Sequence, residues 1–284
     1  MRKLRRSLTY LAILILIEWI LIKYVQYLIR KRPPNNPIAY IQKTPPTAGK
    51  KAIVCVGDSI TEGTVSYNYV QLLQKRVGTR FDLINAGVNS ELAYEVWKRL
   101  DEVIICQPDI ITILVGTNDA NSSRNKLISL RTMKHRKLPH PPSREWFEQV
   151  LTNIVAKLQR ETRAQIALLS LPPIGETLDS EEFALSRAFS DTIRRVAQKS
   201  QVTYLPLFER IADYLIAHQD QITPKDQEWR IQMLETVIEE KILGRDFDEV
   251  SQRHGFLLHA DMLHMNSKGA AIIADLIEEF ARSR

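Results

Sequence analysis

The stretch Ala52-Ile53-Val54-Cys55-Val56-Gly57-Asp58-Ser59-Ile60-Thr61-Glu62-Gly63 decides how the chain is read. Five apolar residues in succession, too few for a stable helix and rich in β-branched side chains, predict a strand buried on both faces. Gly57, Asp58 and Ser59 end the run, so Ser59 falls where the chain turns from strand toward helix. Similar apolar runs recur at 81–85, 110–115, 165–171 and 203–207, and amphipathic helical stretches at 67–76, 92–105, 144–160 and 181–200 lie between them. Strands alternating with helices predict an α/β fold whose parallel sheet is covered on both faces. Chemistry is expected beyond the carboxyl ends of the strands, in the residues that close each run.

The 284 residues, 44% hydrophobic and 25% charged, supply ample material for a buried core. Two cysteines, Cys55 and Cys106, without metal-ligand spacing around either, exclude a disulfide framework. The net charge of +6 is concentrated beside one apolar segment, residues 8–29: Arg2, Lys3, Arg5 and Arg6 precede it, and Arg30, Lys31 and Arg32 follow. Cations in that pattern fit a membrane surface better than a nucleic acid.

The segment is about long enough for one crossing. Glu18 opposes insertion by about 2.5–3.5 kcal/mol, against roughly a dozen aliphatic residues at about −0.5 kcal/mol each. A signal peptide and an in-plane amphipathic helix are the alternatives, but no small-x-small cleavage site follows the apolar core. Residues 1–32 are therefore expected to be an uncleaved, single-pass N-terminal membrane helix, with the remainder on the non-cytoplasmic side. Residues 33–50 hold Pro33, Pro34, Pro37, Pro45 and Pro46 and are expected to form an extended tether without a helix. The folded domain is then residues 51–284.

Four segments carry candidate chemistry. Gly57-Asp58-Ser59 presents a hydroxyl at the sheet edge, where helix-start amides stabilise negative charge. Asn85-Ala86-Gly87-Val88-Asn89 closes the second run, and Gly87 permits close backbone approach. Gly116-Thr117-Asn118-Asp119 closes the third; the Asn118 carboxamide can donate to an oxyanion, and Asp119 fits a bracing role. Near the C-terminus stands Asp261-Met262-Leu263-His264-Met265-Asn266, with an amphipathic run at 268–282 behind it. An acid three residues before a histidine can hold its Nδ1–H and leave Nε2 free as a base. His259, close to this motif, is a second candidate base. Each segment taken singly also fits an ordinary turn or cap.

Together and in this order, the four segments resemble the signature blocks of the GDSL/SGNH hydrolase family. The resemblance covers nearly everything after residue 50, with Ser59, Gly87, Asn118 and His264 at the named positions. It implies a flavodoxin-like three-layer α/β/α sandwich with a five-stranded parallel sheet. It also implies Ser59 as nucleophile, His264 as base and Asp261 as its orienting acid, with an oxyanion hole of the Ser59 and Gly87 N–H groups and the Asn118 side chain. Two departures stand out: Ser90 replaces a second glycine common three residues after the first, and Met262 and Met265 flank the last block, where Gly and Pro are common.

An ester is the implied substrate: an acylated glycan or small ester, with a lysophospholipase- or thioesterase-like lipid hydrolase and a non-catalytic binding protein as alternatives. Two long insertions, the basic 122–143 and the charged 219–255, are candidates for a lid or cap, or for plain surface and packing. No P-loop, dinucleotide glycine pattern or metal cluster is present, so neither cofactor nor metal is implied.

Overall fold

The computed structural model describes residues 31–43, 49–223 and 229–283, together with Lys23 and Tyr27. The chain divides into two compact units, Met1–Lys31 and Arg32–Arg284. The segment expected to cross a membrane, residues 8–29, lies outside the described residues apart from Lys23 and Tyr27; among the described residues no helix is long and apolar enough to do so.

Five strands, β1 (Lys51–Gly57), β2 (Phe81–Gly87), β3 (Ile110–Leu114), β4 (Gln165–Leu169) and β5 (Thr203–Leu205), form one parallel sheet in the order β2-β1-β3-β4-β5. Register runs from Lys51 opposite Phe81 to Gly57 opposite Gly87, which brings the ends of β1 and β2 level. The unbroken apolar runs are explained by burial on both faces. Ala52, Val54 and Val56 pack into one layer with helices Ala93–Lys98, Arg144–Glu161 and Glu181–Lys199. Ile53 and Cys55 face the other layer, with Tyr69–Val77, Leu207–Ala217 and Ser267–Arg282. In Arg144–Glu161, Phe147, Val150, Leu151, Ile154 and Leu158 make the buried stripe, and Ser143 caps the start by accepting from the Trp146 N–H.

The stretch expected to be an extended tether departs from that expectation. Pro37–Lys43 is a helix, and the Asn36 carboxamide oxygen accepts from the Ile38 and Ala39 N–H groups at its start. Proline has no N–H to lose at a first helical position, so Pro37 begins the helix instead of forbidding it. Just before it, Asn35 accepts from the Asn85 N–H (3.0 Å) and donates to Leu83 O (3.0 Å), covering the open edge of β2. Arg32 pairs with Glu102 at 2.6 Å. The compact unit therefore begins at Arg32, ahead of the expected start at Lys51.

The second insertion is an excursion with its own helices, Trp229–Lys241 and Phe247–His254. Its ends meet, because the Thr223 N–H donates to Gly255 O at 3.3 Å. Gly255 has φ +78°, and a Cβ there would lie 2.1 Å from Thr223 O, so only glycine fits this closure.

Candidate active site

Ser59 opens the four-residue helix Ser59–Glu62 directly beyond β1. Asp58 caps it by accepting from the Ile60 N–H, and Gly63, with φ +85°, closes it by donating to Ser59 O. The turn is this tight because two glycines admit it. A Cβ on Gly57 would fall 2.4 Å from Leu114 O, and one on Gly87 would fall 2.2 Å from the Glu62 backbone nitrogen. Ser59 is 8% exposed, so it is largely shielded from solvent.

The other half of the site comes from residues 257–266, which run into the last helix. Asn266 caps that helix by accepting from the Lys268 and Gly269 N–H groups. His264 Nε2 lies 3.0 Å from Ser59 Oγ, and its Nδ1 lies 2.9 Å from Asp261 Oδ2. Asp261 Oδ1 also accepts from the Leu263 and His264 N–H groups at 2.7 and 2.9 Å, which locks the carboxylate. Burial favours neutral forms of both, yet their mutual attraction prevails: the His264 pKa is raised and the Asp261 pKa lowered. The sequence expectation for Ser59, Asp261 and His264 thus corresponds to one continuous hydrogen-bonded chain.

His259 is excluded as the alternative base by its contacts. Its Nδ1 is 2.8 Å from Glu176 Oε1 and its Nε2 is 3.0 Å from Pro173 O, so both ring nitrogens are engaged by other groups and neither meets the Ser59 hydroxyl. Glu176 additionally accepts from the N–H groups of Leu257, Leu258 and His259 at 2.7–2.9 Å. This fully buried pair ties the segment after β4 to the loop bearing Asp261 and His264. Met265 is buried in the second core layer, and Met262 lies against Gly175, whose N–H donates to Met262 O at 2.8 Å.

Asn118 reaches the site, with Nδ2 3.1 Å from Glu91 O and 3.3 Å from Asp58 Oδ2. At Gly87 the N–H donates to Asn85 Oδ1 at 2.9 Å, and the missing Cβ lets the Ser59 helix pack on β2. Ser90 keeps the conformation a glycine would take, with φ +64°, so the departure at this position leaves the left-handed turn in place. Asp119 braces as expected, accepting from the Ala93 N–H at 3.0 Å. Burial pushes the Asp58 and Asp119 carboxyls up to about 7.

Arg99, Glu91 and Glu176 carry no motif that marks them in the sequence. Arg99 is nonetheless detectable, since it continues the buried stripe Leu92, Val96, Leu100 and Val103 and a charge on an apolar face demands partners. Glu176 sits in a Pro-Gly-rich segment with no pattern to flag it.

A parallel α/β sandwich with a Ser–His–Asp hydrogen-bonded chain at the carboxyl edge of its sheet defines a class of serine-centred hydrolase sites. Residues 55–272 match the GDSL-like Lipase/Acylhydrolase family, to which the chain belongs, and it is a carboxylic ester hydrolase. Among solved structures, it resembles the acetyl xylan esterase AlAXEase, with 22% identity and TM-score 0.57 over 80% of this chain and 98% of that one. A lipase/acylhydrolase from Enterococcus faecalis gives 20% identity and TM-score 0.57 over 82% and 96%. An acetylxylan esterase from Geobacillus stearothermophilus gives 16% and 0.55 over 81% and 94%. At these identities the likeness is one of fold. No curated protein matches.

Proposed function

We propose that the protein hydrolyses short-chain acyl esters, with acylated glycans as the substrate class, through an acyl-enzyme on Ser59. The observation that carries this is the Ser59–His264–Asp261 chain, with Nε2 3.0 Å from the hydroxyl. His264 takes the Ser59 proton as Oγ attacks the ester carbonyl, and returns it to the departing alcohol as the C–O bond breaks. Water then attacks the acyl carbonyl, giving a proton to His264; the Ser59 oxygen leaves with that proton, and the acid is released. The Ser59 N–H and the Asn118 carboxamide receive the oxyanion, each donor worth about 3 kcal/mol of barrier. The glycan assignment draws support from the acetylxylan esterases of like fold.

A lipid ester is the second reading, and one observation favours it. Helix Lys126–Arg136 carries no acid and exposes Leu127 and Leu130 among Lys126, Arg131 and Lys134, a surface suited to an anionic bilayer. For location, we propose that residues 8–29 anchor the chain in a membrane with the hydrolase domain on the non-cytoplasmic side.

The test is hydrolysis of p-nitrophenyl esters of graded chain length by the full chain, with Ser59→Ala as control. Turnover highest for acetyl and lost in Ser59→Ala is the expected result. A preference for long chains selects the lipid reading, and undiminished turnover in Ser59→Ala overturns the mechanism.

A further inference from the structure

Arg99 lies between helices Ala93–Lys98 and Leu100–Ile104, with φ −114° and ψ 17°. Its side chain is only 10% exposed. Nε donates to Glu91 Oε2 at 2.6 Å, while Nη2 donates to two main-chain carbonyls, Ala86 O at 2.8 Å and Gly57 O at 3.2 Å. Gly57 closes β1, two residues before Ser59. Ala86 lies near the end of β2, where the chain enters the turn containing Ser90. Glu91 follows Ser90, and its carbonyl accepts from Asn118 Nδ2 at 3.1 Å.

One guanidinium therefore bonds directly to the strand ends that lead to Ser59 and to the Ser90 turn, and reaches Asn118 through Glu91. The Asn118 nitrogen has two protons. Glu91 O takes one and thereby decides which way the carboxamide faces; the other meets Asp58 Oδ2 at the longer 3.3 Å and is the one an oxyanion can claim. The three acceptors around Arg99 match a planar fork with donors on several edges, which a lysine ammonium on a flexible stem does not reproduce. A cation this deeply buried costs desolvation, offset here by a carboxylate and two carbonyls that belong to the segments framing the site.

We propose that Arg99 is the positioning residue of the oxyanion site, holding the Ser59 and Asn118 donors at the spacing the tetrahedral intermediate requires. The proposal rests on the serine mechanism above. Donors that drift by a fraction of an ångström bind a ground-state ester almost as before and lose their grip on the transition state. Misplacement on that scale costs up to about 10²-fold in rate.

Arg99→Lys and Arg99→Ala, made in the full chain and assayed on p-nitrophenyl acetate, test this. In Arg99→Lys, kcat is expected to fall about 10- to 100-fold with KM within about twofold. Affinity for a trifluoromethyl ketone, whose serine adduct carries an oxyanion, falls by the same factor. Added guanidinium, unlike ammonium, restores part of the kcat of Arg99→Ala. A wild-type kcat in Arg99→Lys overturns the proposal, as does a loss accounted for by the unfolded fraction alone. Should Arg99→Ala not fold, Arg99→Lys decides by itself. Ser59→Ala in parallel separates the two claims: a dead Ser59→Ala beside a fully active Arg99→Lys sinks only the role of Arg99, whereas an active Ser59→Ala sinks the mechanism beneath it.

Discussion

His259 and His264 stand five residues apart on one loop, both are buried, and each has a carboxylate at Nδ1. They differ at Nε2, which meets Pro173 O in one and Ser59 Oγ in the other. A carbonyl can only accept, so it fixes a proton on His259; a hydroxyl can give its proton up, so His264 is left able to receive one. Burial and an acid partner are thus shared by the two histidines, and the partner of the second nitrogen separates the one assigned here to structure from the one proposed as base.

The sharpest way to break this comparison is to remove each ring in turn. His264→Ala is expected to lower kcat by about 10⁴-fold or more with an intact fold. His259→Gln is expected to keep kcat within about tenfold per folded molecule while leaving Glu176 buried without its imidazole partner. That loss costs about 1–3 kcal/mol of stability, read as a lower denaturation midpoint. Equal losses of activity in the two variants would erase the distinction.

The pH dependence of the wild-type enzyme sharpens it further. Burial is the largest single influence and lowers the His264 pKa, but Asp261, together with Asp58 and Glu62, raises it by more in sum, so its net pKa lies above the ordinary 6.5. The base is active when neutral, so kcat/KM should rise with pH through an inflection above 6.5 and then level. In Asp261→Asn the nearest opposing charge is gone and burial works against only the weaker pull of Asp58 and Glu62, so the inflection should move down as activity falls. An unmoved inflection assigns the titration elsewhere.

The smallest expected effect concerns carboxylates that have no histidine. Glu176 and Asp261, each beside an imidazole, are held below the usual range despite burial, whereas burial lifts Asp119 to about 7. With a folded pKa raised above its unfolded 3.8, Asp119 contributes stability at low pH that is lost as pH rises through 7. Asp119→Asn, whose oxygen still accepts from the Ala93 N–H, should flatten the fall in Tm between about pH 4 and 7. The gain at pH 8 is about 2–4 °C for each kcal/mol relieved.

Much of the fold is legible in the sequence because apolar runs mark strands directly. The run at 52–56 lies inside Lys51–Gly57, and the one at 110–115 nearly coincides with Ile110–Leu114. The helix expected over 92–105 is two, because Arg99 leaves helical geometry where its side chain meets Gly57 O and Ala86 O. Ser59, Asn118, Asp261 and His264 are readable as motif residues. Gly87 is legible as a residue of the site, but its contacts are not. Its packing against Glu62 depends on a neighbouring helix, and its N–H on the Asn85 rotamer, and neither leaves a trace in local spacing. The helix Pro37–Lys43 escapes a reading that counts five prolines without regard to position, although Asn36 before Pro37 is a start signal.

The closure between Thr223 and Gly255 has a consequence for how such a protein diversifies. Ends that meet within one hydrogen bond let the exposed parts of the excursion be lengthened or shortened while the five strands keep their threading, at a loop-closure cost that grows only slowly with length. Its buried side is fixed: His254 Nδ1 lies 2.7 Å from Ala260 O and Ser251 Oγ accepts from Asn266 Nδ2 at 2.8 Å, so glycine at 255 also keeps in place the helix that braces the turn carrying Asp261 and His264.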